Sequence, residues 1–406
     1  MTTEQQDDRL APSGVRRAIA GTVTRIRGGD LGSLPVIVGL VLICGIFQVL
    51  NPTFLSSTNL VNLTMQCAAV GTIAIGIVLV LLLGEIDLSV GAVSGVSSAM
   101  LAVGYVQFGL PLPLVILASL ATGALIGLLF GFLRTRFGVP SFVITLAGLL
   151  GFLGVQLAVL GKTGSINIPF DSLLVQFGQQ WFLPDWVSYT LIALAAITYF
   201  SVGFSRARRR LDAGLTATSI ALIAFRSAGM LVLLEVAAWY LNITRGVGAM
   251  FAVFLLLVVV THLFLTRTAW GRSVFAVGGN VEAARRAGIR VDRVYISVFV
   301  LCSTFAALGG LFAAARLAAA NQGSGGADTN LTAIAAAVIG GTSLFGGRGS
   351  AFSAVLGILV IMSITSGLTL LNLDSSVRYM ITGLVLLLAV IIDSLSRRSR
   401  AASGRA

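Results

Sequence analysis

Residues 60–83 read LVNLTMQCAAVGTIAIGIVLVLLL, and the run closes with GEIDLSVG at 84–91. The first segment has no charged side chain and exceeds the roughly 20 apolar residues that cross a bilayer core as a helix. It reads as a membrane span, and the same reading extends to the whole chain. Hydrophobic residues make up 57% of the 406 and charged residues only 10%, with a mean hydropathy of +0.99. A water-soluble core of this size could not cover so much apolar surface, so lipid must cover much of it.

Working outward, apolar runs predict spans near 35–50, 60–83, 88–107, 112–133, 141–160, 187–204, 214–241, 247–265, 294–315, 331–344, 350–370 and 378–394. This is an all-α polytopic membrane protein, a bundle of 12 helices, or of 10 if the short run at 331–344, rich in Ala and Gly, is re-entrant. Alternate loops hold Arg134 and Arg136, then Arg206, Arg208, Arg209 and Arg210, then Arg267, Arg272, Arg285, Arg286, Arg290 and Arg293, then Arg348. With the arginines of the two ends, 22 of the 26 fall on one side, which predicts that both termini are cytoplasmic. The expected organisation is a cytoplasmic tail over 1–34, a transmembrane domain over 35–394 with a cytoplasmic loop at 266–293, and a second tail over 395–406. The tails are predicted to be disordered. The first apolar run is long enough to remain as an anchor, so no cleaved signal peptide is expected.

The net charge of +12 follows from basic flanks beside membrane helices and does not call for nucleic acid. Cys44, Cys67 and Cys302 lie inside apolar spans without paired spacing, as small buried hydrophobes do, so neither a metal site nor a disulfide is expected. The single histidine, His262, has no Cys or acidic pair beside it. Gly161-Lys162-Thr163 lacks the glycine five residues upstream that a phosphate-binding loop needs, because position 156 is Gln156. No catalytic residue is expected in this chain. Trp181, Trp186 and Trp239 are placed near the outer interface and Trp270 near the inner one. Gly123, Gly127 and Gly131 form a stripe against which another helix can pack closely. Arg226, within the run 214–241, stands half a turn out of phase with Glu235 and needs another partner, a polar interior or an interfacial start to its helix.

Three segments carry chemistry. Gly84-Glu85-Ile86-Asp87-Leu88-Ser89-Val90-Gly91 puts two carboxylates where two spans meet, either on a solvated pathway or in an ion pair, or else both facing cytoplasm at a turn, with Asp87 capping the next helix. The loop at 278–289 has Gly278 and Gly279, then Asn280 as an N-cap, Glu282 and Ala283 in the first turn, Arg285 and Arg286 in the last, and Gly288 as a stop. Such a two-turn helix is unstable alone and must be held by packing, either by this protein or by a soluble partner. The third, Gly340-Gly341-Thr342-Ser343 with Gly346-Gly347-Arg348-Gly349, places glycines and hydroxyls where a helix is broken beside a polar passage, or where a close-packed helix ends in a basic turn.

These three segments, in this order and on this hydropathy profile, resemble the permease subunits of ATP-binding-cassette sugar importers of the ribose and xylose type, over nearly all of 35–395. The extra spans at about 187–241, Asn242-Ile243-Thr244-Arg245-Gly246-Val247 and Leu371-Asn372-Leu373-Asp374-Ser375-Ser376 look like the xylose-type branch. Two positions depart from the family pattern: Glu85 stands where glycine is frequent, and Asn330-Leu331-Thr332 lacks a frequent acidic residue. The resemblance implies a multi-pass permease in a bacterial cell membrane, surrounded by lipid, that translocates a pentose, xylose first. It implies a permease homodimer, a cytoplasmic ATP-binding subunit that uses the ATP and Mg, and an extracytoplasmic sugar-binding protein, with no cofactor in this chain. Gly278 to Gly288 would be the ATPase-coupling helix. Glu85, Asp87, Ser89, Gly340, Gly341, Thr342 and Ser343 would be candidates for the translocation pathway. The competing expectations are a self-sufficient ion-coupled secondary sugar transporter with Glu85 and Asp87 as proton or cation carriers, and an assembly protein with no passage.

Overall fold

The computed structural model describes residues 34–374 and, beyond them, 376, 377, 380, 381, 383, 384, 387 and 391. The expected tails and most of the expected span at 378–394 lie outside these residues. In chain order the elements are α1 (Leu34–Leu50), α2 (Ser57–Leu82), α3 (Val90–Ala102), α4 (Leu112–Phe137), α5 (Ser141–Leu160), β1 (Ser165–Asn167), α6 (Asp185–Asp212), α7 (Ile220–Asn242), α8 (Ala249–Arg267), α9 (Ala269–Gly279), α10 (Val281–Arg286), α11 (Val291–Leu317), β2 (Ala319–Asn321), α12 (Ala327–Ile339) and α13 (Phe352–Leu370). A π-helical turn over Val103–Gln107 continues α3. Pro111, Pro140 and Pro184 occupy the N-caps of α4, α5 and α6, where a missing N–H leaves no ladder bond unmade.

The protein is mostly helical, and nine of the described helices are long and apolar enough to cross a membrane. α1 and α12 are shorter. Two expected spans need correction. The run at 214–241 becomes a helix only from Ile220, because Leu215 to Ser219 turns the chain back from α6. The run at 331–344 becomes α12, a 13-residue helix starting at Ala327 and reaching only about 20 Å, too short for a hydrocarbon core. Two elements were not expected: α9, and an antiparallel pairing of β1 with β2 in the register Ser165 to Asn321.

The described chain forms two compact units, one over Leu183–Val247 and the other comprising the remaining described helices. In the first, α6 and α7 form a hairpin, with Ser227 Oγ donating to the Ala196 carbonyl at 2.8 Å and Asn242 Nδ2 donating to Ser188 Oγ at 3.3 Å. In the second, α11 runs through the middle and packs along α4, α2 and α3. The glycine stripe of α4 finds its partner here: Gly123 lies against Ser303 and Ala307, Gly127 against Phe299 and Val300, and Gly131 against Ile296. The two backbones come too close for any side chain between them, which is how dispersion packing substitutes for a hydrophobic driving force in lipid.

Candidate functional site

The three segments singled out in the sequence meet in space. α2 ends at Leu82, and the Leu82 carbonyl accepts a 2.9 Å hydrogen bond from the Gly347 N–H. Gly278, near the end of α9, presses its Cα onto that same carbonyl. A Cβ at 278 would lie 1.8 Å from Leu82 O and 2.9 Å from Gly347 N. Gly346, at φ 83°, holds a left-handed turn in the opposite wall, where a Cβ would come within 2.6 Å of Gly278 O and 2.9 Å of Gly84 N. The ends of α2 and α9 and the 345–349 loop therefore form one knot of backbone on backbone.

From this knot α10 projects into solvent. The expected capping is present: Asn280 Oδ1 accepts the Ala283 N–H at 2.9 Å, and Gly288, at φ 82°, ends the helix with the Ile289 N–H returned to Ala284 O. Only Ala284 is buried, while Glu282, Ala283, Arg285, Arg286, Ala287 and Gly288 are exposed. Arg285 pairs with Glu282 at 3.0 Å along the helix. α10 is held by α9 and α11. α9 escaped the sequence reading, although Gly271, Val274 and Val277, its buried positions, recur at helical spacing after a Thr268 cap.

Glu85 and Asp87 have separate fates. The Glu85 side chain, 12% exposed, is ion-paired to Arg134 in the last turn of α4 at 2.9 Å, and the Arg134 guanidinium stacks over Tyr295 of α11 at 5.1 Å. The carboxylate is thus engaged by a cation. Asp87 does not face the cytoplasm at a turn: it is 1% exposed. Its Oδ1 accepts from the Ser89 N–H at 2.8 Å and Oγ–H at 2.7 Å, and Cys302 Sγ lies 3.7 Å from Oδ2. This Asx turn leads the chain into α3, whose N-cap is Ser89 and not Asp87. Cys302 lies near the middle of α11, so α3 starts inside the bundle.

α12 also starts inside it. Asn330 Nδ2 donates to the Leu88 carbonyl at 2.5 Å, and a Cβ on Gly91 would meet Gly325 and Gly326 carbonyls within 3.0 Å. Gln156 of α5 donates from Nε2 to Asn321 O at 3.0 Å and Ser324 O at 2.8 Å. Both amides are buried, and their other ends, Asn330 Oδ1 and Gln156 Oε1, have no hydrogen-bond partner among the described residues. The sequence marked Asn330 only as a departure from the family pattern and Gln156 only as the residue that excludes a phosphate-binding loop; a Gln and an Asn within apolar runs were the available signal for a shared polar site. At the other end of α12, Gly340 lies against the backbone of Ser353 in α13. Gly341 takes a positive φ, the Thr342 N–H bonds Ala337 O at 3.0 Å, and the Ser343 N–H bonds Arg348 O at 3.0 Å. Gly340 and Thr342 are buried and Ser343 is half-buried. These four residues end α12 and lead into the 345–349 knot. Among the described residues no three His, Cys, Asp or Glu side chains come together as a metal site would require.

A family model described as the branched-chain amino acid transport system permease component matches residues 59–390. The xylose transport system permease protein XylH of Escherichia coli K12 is 35% identical, over 95% of this chain and 98% of its own. The ribose import permease protein RbsC of Bacillus subtilis is 32% identical, over 90% of this chain and 94% of its own. The fructose import permease protein FrcC of Rhizobium meliloti is 30% identical, over 90% and 86% respectively. No solved structure matches with comparable significance.

Proposed function

The chain belongs to the permease-component family of the branched-chain amino acid transport system, and on that premise we propose how it works. It is the membrane-spanning permease subunit of an ATP-driven sugar importer, in line with its xylose, ribose and fructose relatives. The substrate is a monosaccharide, a pentose with xylose first. An extracytoplasmic binding protein delivers the sugar, two permease copies form the passage, and cytoplasmic ATPase subunits use ATP and Mg. The bundle crosses the membrane 12 times, or 10 if α12 is re-entrant, with both termini and α10 in the cytoplasm.

The observation that carries this reading is the exposed α10 mounted on the Leu82–Gly278–Gly347 knot. An ATPase that grips Glu282, Arg285 and Arg286 and moves α10 would move α9 with it. Because the contacts at Gly278 are backbone on backbone, that displacement passes to the end of α2 and to the 345–349 loop with no flexible side chain to absorb it. The loop leads back to α12, and the α12 N-terminal turn is tied to the α3 entrance by Asn330 and Leu88. Nucleotide need only bind one arrangement of this train more tightly than the other to bias the passage between inward and outward states.

We place the passage beside the two helix starts within the bundle, at Asp87, Ser89, Asn330 and Gln156, where free acceptors would meet sugar hydroxyls in turn. Gly340 to Ser343 would line its inner end, and Glu85, engaged by Arg134, would hold the wall in shape. A pathway glutamate neutralised by an arginine is a poor ion carrier, which favours the ATP-driven reading over the secondary transporter.

The test is purification with the neighbouring ATPase, followed by reconstitution with the binding protein. The Arg285→Glu, Arg286→Glu double variant should stay folded, because both positions are exposed, yet lose sugar-stimulated ATP hydrolysis and uptake. Normal stimulation in that variant would remove α10 from the coupling role. Uptake by the lone chain driven by an ion gradient would replace the importer with a secondary transporter.

A further inference from the structure

The α6–α7 hairpin presents a concentration of arginine that the transport reading does not use. Arg206, Arg208, Arg209 and Arg210 lie in the last two turns of α6, all exposed. Arg226 is exposed on α7, next to Phe225 at 74% exposure, with Val232 and Leu233 also bare farther along the helix. Among the described residues none of the five has a carboxylate partner; the one contact is Arg210 Nε donating to Thr216 O at 2.9 Å. An arginine on the apolar face of a helix hairpin is costly unless an anion or the interface receives it.

The geometry of the hairpin shows where it goes. Gly203 of α6 packs on Ile223 of α7, which sets Arg226, three residues on, level with about Phe200. From there to Phe204, the last residue before the polar stretch that begins at Ser205, is about 6 Å along α6. An arginine stem is long enough to cover that distance, which brings the headgroup layer within reach of its guanidinium. Rotation about the axes then sorts the charges. On α6, Ala196, Gly203 and Ala207 mark the stripe turned to α7, and Arg206 and Arg210 lie roughly 80° and 40° behind it. On α7, Ile223 and Ser227 mark the stripe turned to α6, and Arg226 lies roughly 80° behind it. In antiparallel helices the same sense of offset puts these residues on one side of the hairpin. Glu235, with the opposite offset, falls on the other.

We propose that this side of the hairpin binds the phosphate-bearing headgroup of an anionic phospholipid, in the leaflet on the side of the 213–219 connection. Arg206 and Arg210 grip the headgroup from the water side, and Arg226 grips it from below. The positive-inside tendency alone accounts for arginines beyond the end of a span but not for Arg226 within it. The site lies wholly on the α6–α7 unit and is independent of sugar or ATPase.

The experiment places the full chain in nanodiscs of pure phosphatidylcholine, or of phosphatidylcholine mixed with phosphatidylglycerol. Retained phosphatidylglycerol is counted by native mass spectrometry, and the thermal midpoint is compared between the two compositions. The wild type should hold phosphatidylglycerol and gain stability from it. Arg226→Gln should weaken retention by roughly fivefold, and Arg206→Gln, Arg210→Gln, Arg226→Gln together by more than tenfold. Arg226→Lys should keep part of the response. Arg136→Gln, an exposed arginine at the end of α4, should behave as wild type. Because the readout is a difference between two lipid compositions, a variant that is simply less stable moves both and cannot imitate the result. Arg226→Gln equal to wild type, Arg136→Gln as damaging as Arg226→Gln, or equal stabilisation by inorganic phosphate in phosphatidylcholine would each overturn the assignment.

Discussion

Replacing Gly278 by alanine puts the proposed transmission to its hardest test. The new Cβ would sit 1.8 Å from Leu82 O, where ordinary contact begins at 3.4 Å. One backbone must therefore retreat by about 1.6 Å, and a shift of that size breaks the 2.9 Å Gly347 N–H to Leu82 O bond. Overpacking costs about 1–3 kcal/mol and the lost bond about 1 kcal/mol, so the variant should be destabilised by about 2–4 kcal/mol. In a chain of 406 residues, where 1 kcal/mol corresponds to only about 1 °C, that lowers the thermal midpoint by about 2–5 °C. The neighbouring Gly279→Ala is the control, because a Cβ there meets nothing within 4 Å. The assay is sugar-stimulated ATP hydrolysis by the reconstituted complex, measured well below both midpoints so that the folded fractions are equal. Gly278→Ala should separate hydrolysis from uptake, whereas Gly279→Ala should remain coupled. If the two variants are indistinguishable in both stability and coupling, the knot is not the route by which α10 moves α2.

Other side chains of the site give sharper chemical contrasts. Glu85→Gln should cost about 2 kcal/mol, since it leaves Arg134 short of its charged partner in a half-buried place. The double variant Glu85→Gln, Arg134→Gln should cost less than the two single changes combined, which a double-mutant cycle by thermal unfolding in detergent would show. Asp87→Asn retains the acceptor for Ser89 and should stay within about 1 kcal/mol of wild type, while Asp87→Ala loses both Ser89 bonds and should cost about 2 kcal/mol. A severe loss of uptake in a stable Asp87→Asn protein would instead give the carboxyl a role in the passage. Asn330→Asp should be worse than Asn330→Ala, because a carboxylate facing the Leu88 carbonyl has no proton to donate; wild-type midpoints in both variants would mean that this bond is not what joins α12 to α3.

Much of the architecture was legible along the chain. The short helix α10 announced itself through Asn280, Glu282, Arg285, Arg286 and Gly288 because caps and charge–dipole terms act within one turn. The spans were legible because the bilayer demands an uninterrupted apolar length. α12 was misplaced for the same reason: a helix that begins and ends inside protein has no length rule to obey, and its letters resemble a poor span. α9 was overlooked because a short amphipathic helix between two spans looks like a loop until something packs on Val274 and Val277.

Local sequence thus determined which segments are helical, where the carboxylates and arginines stand along them, and that the chain is a multi-pass membrane protein. What only the tertiary structure decided is who meets whom. Glu85 finds Arg134 across 49 residues, Asn330 finds Leu88 across 242, and the α4 glycines find α11 as the partner they had no means of naming. Above all, Leu82, Gly278 and Gly347 converge on a single carbonyl. Such contacts are made between backbones at separations that no periodicity encodes. They follow from the packing of all the helices at once, and so appear only when the bundle is assembled.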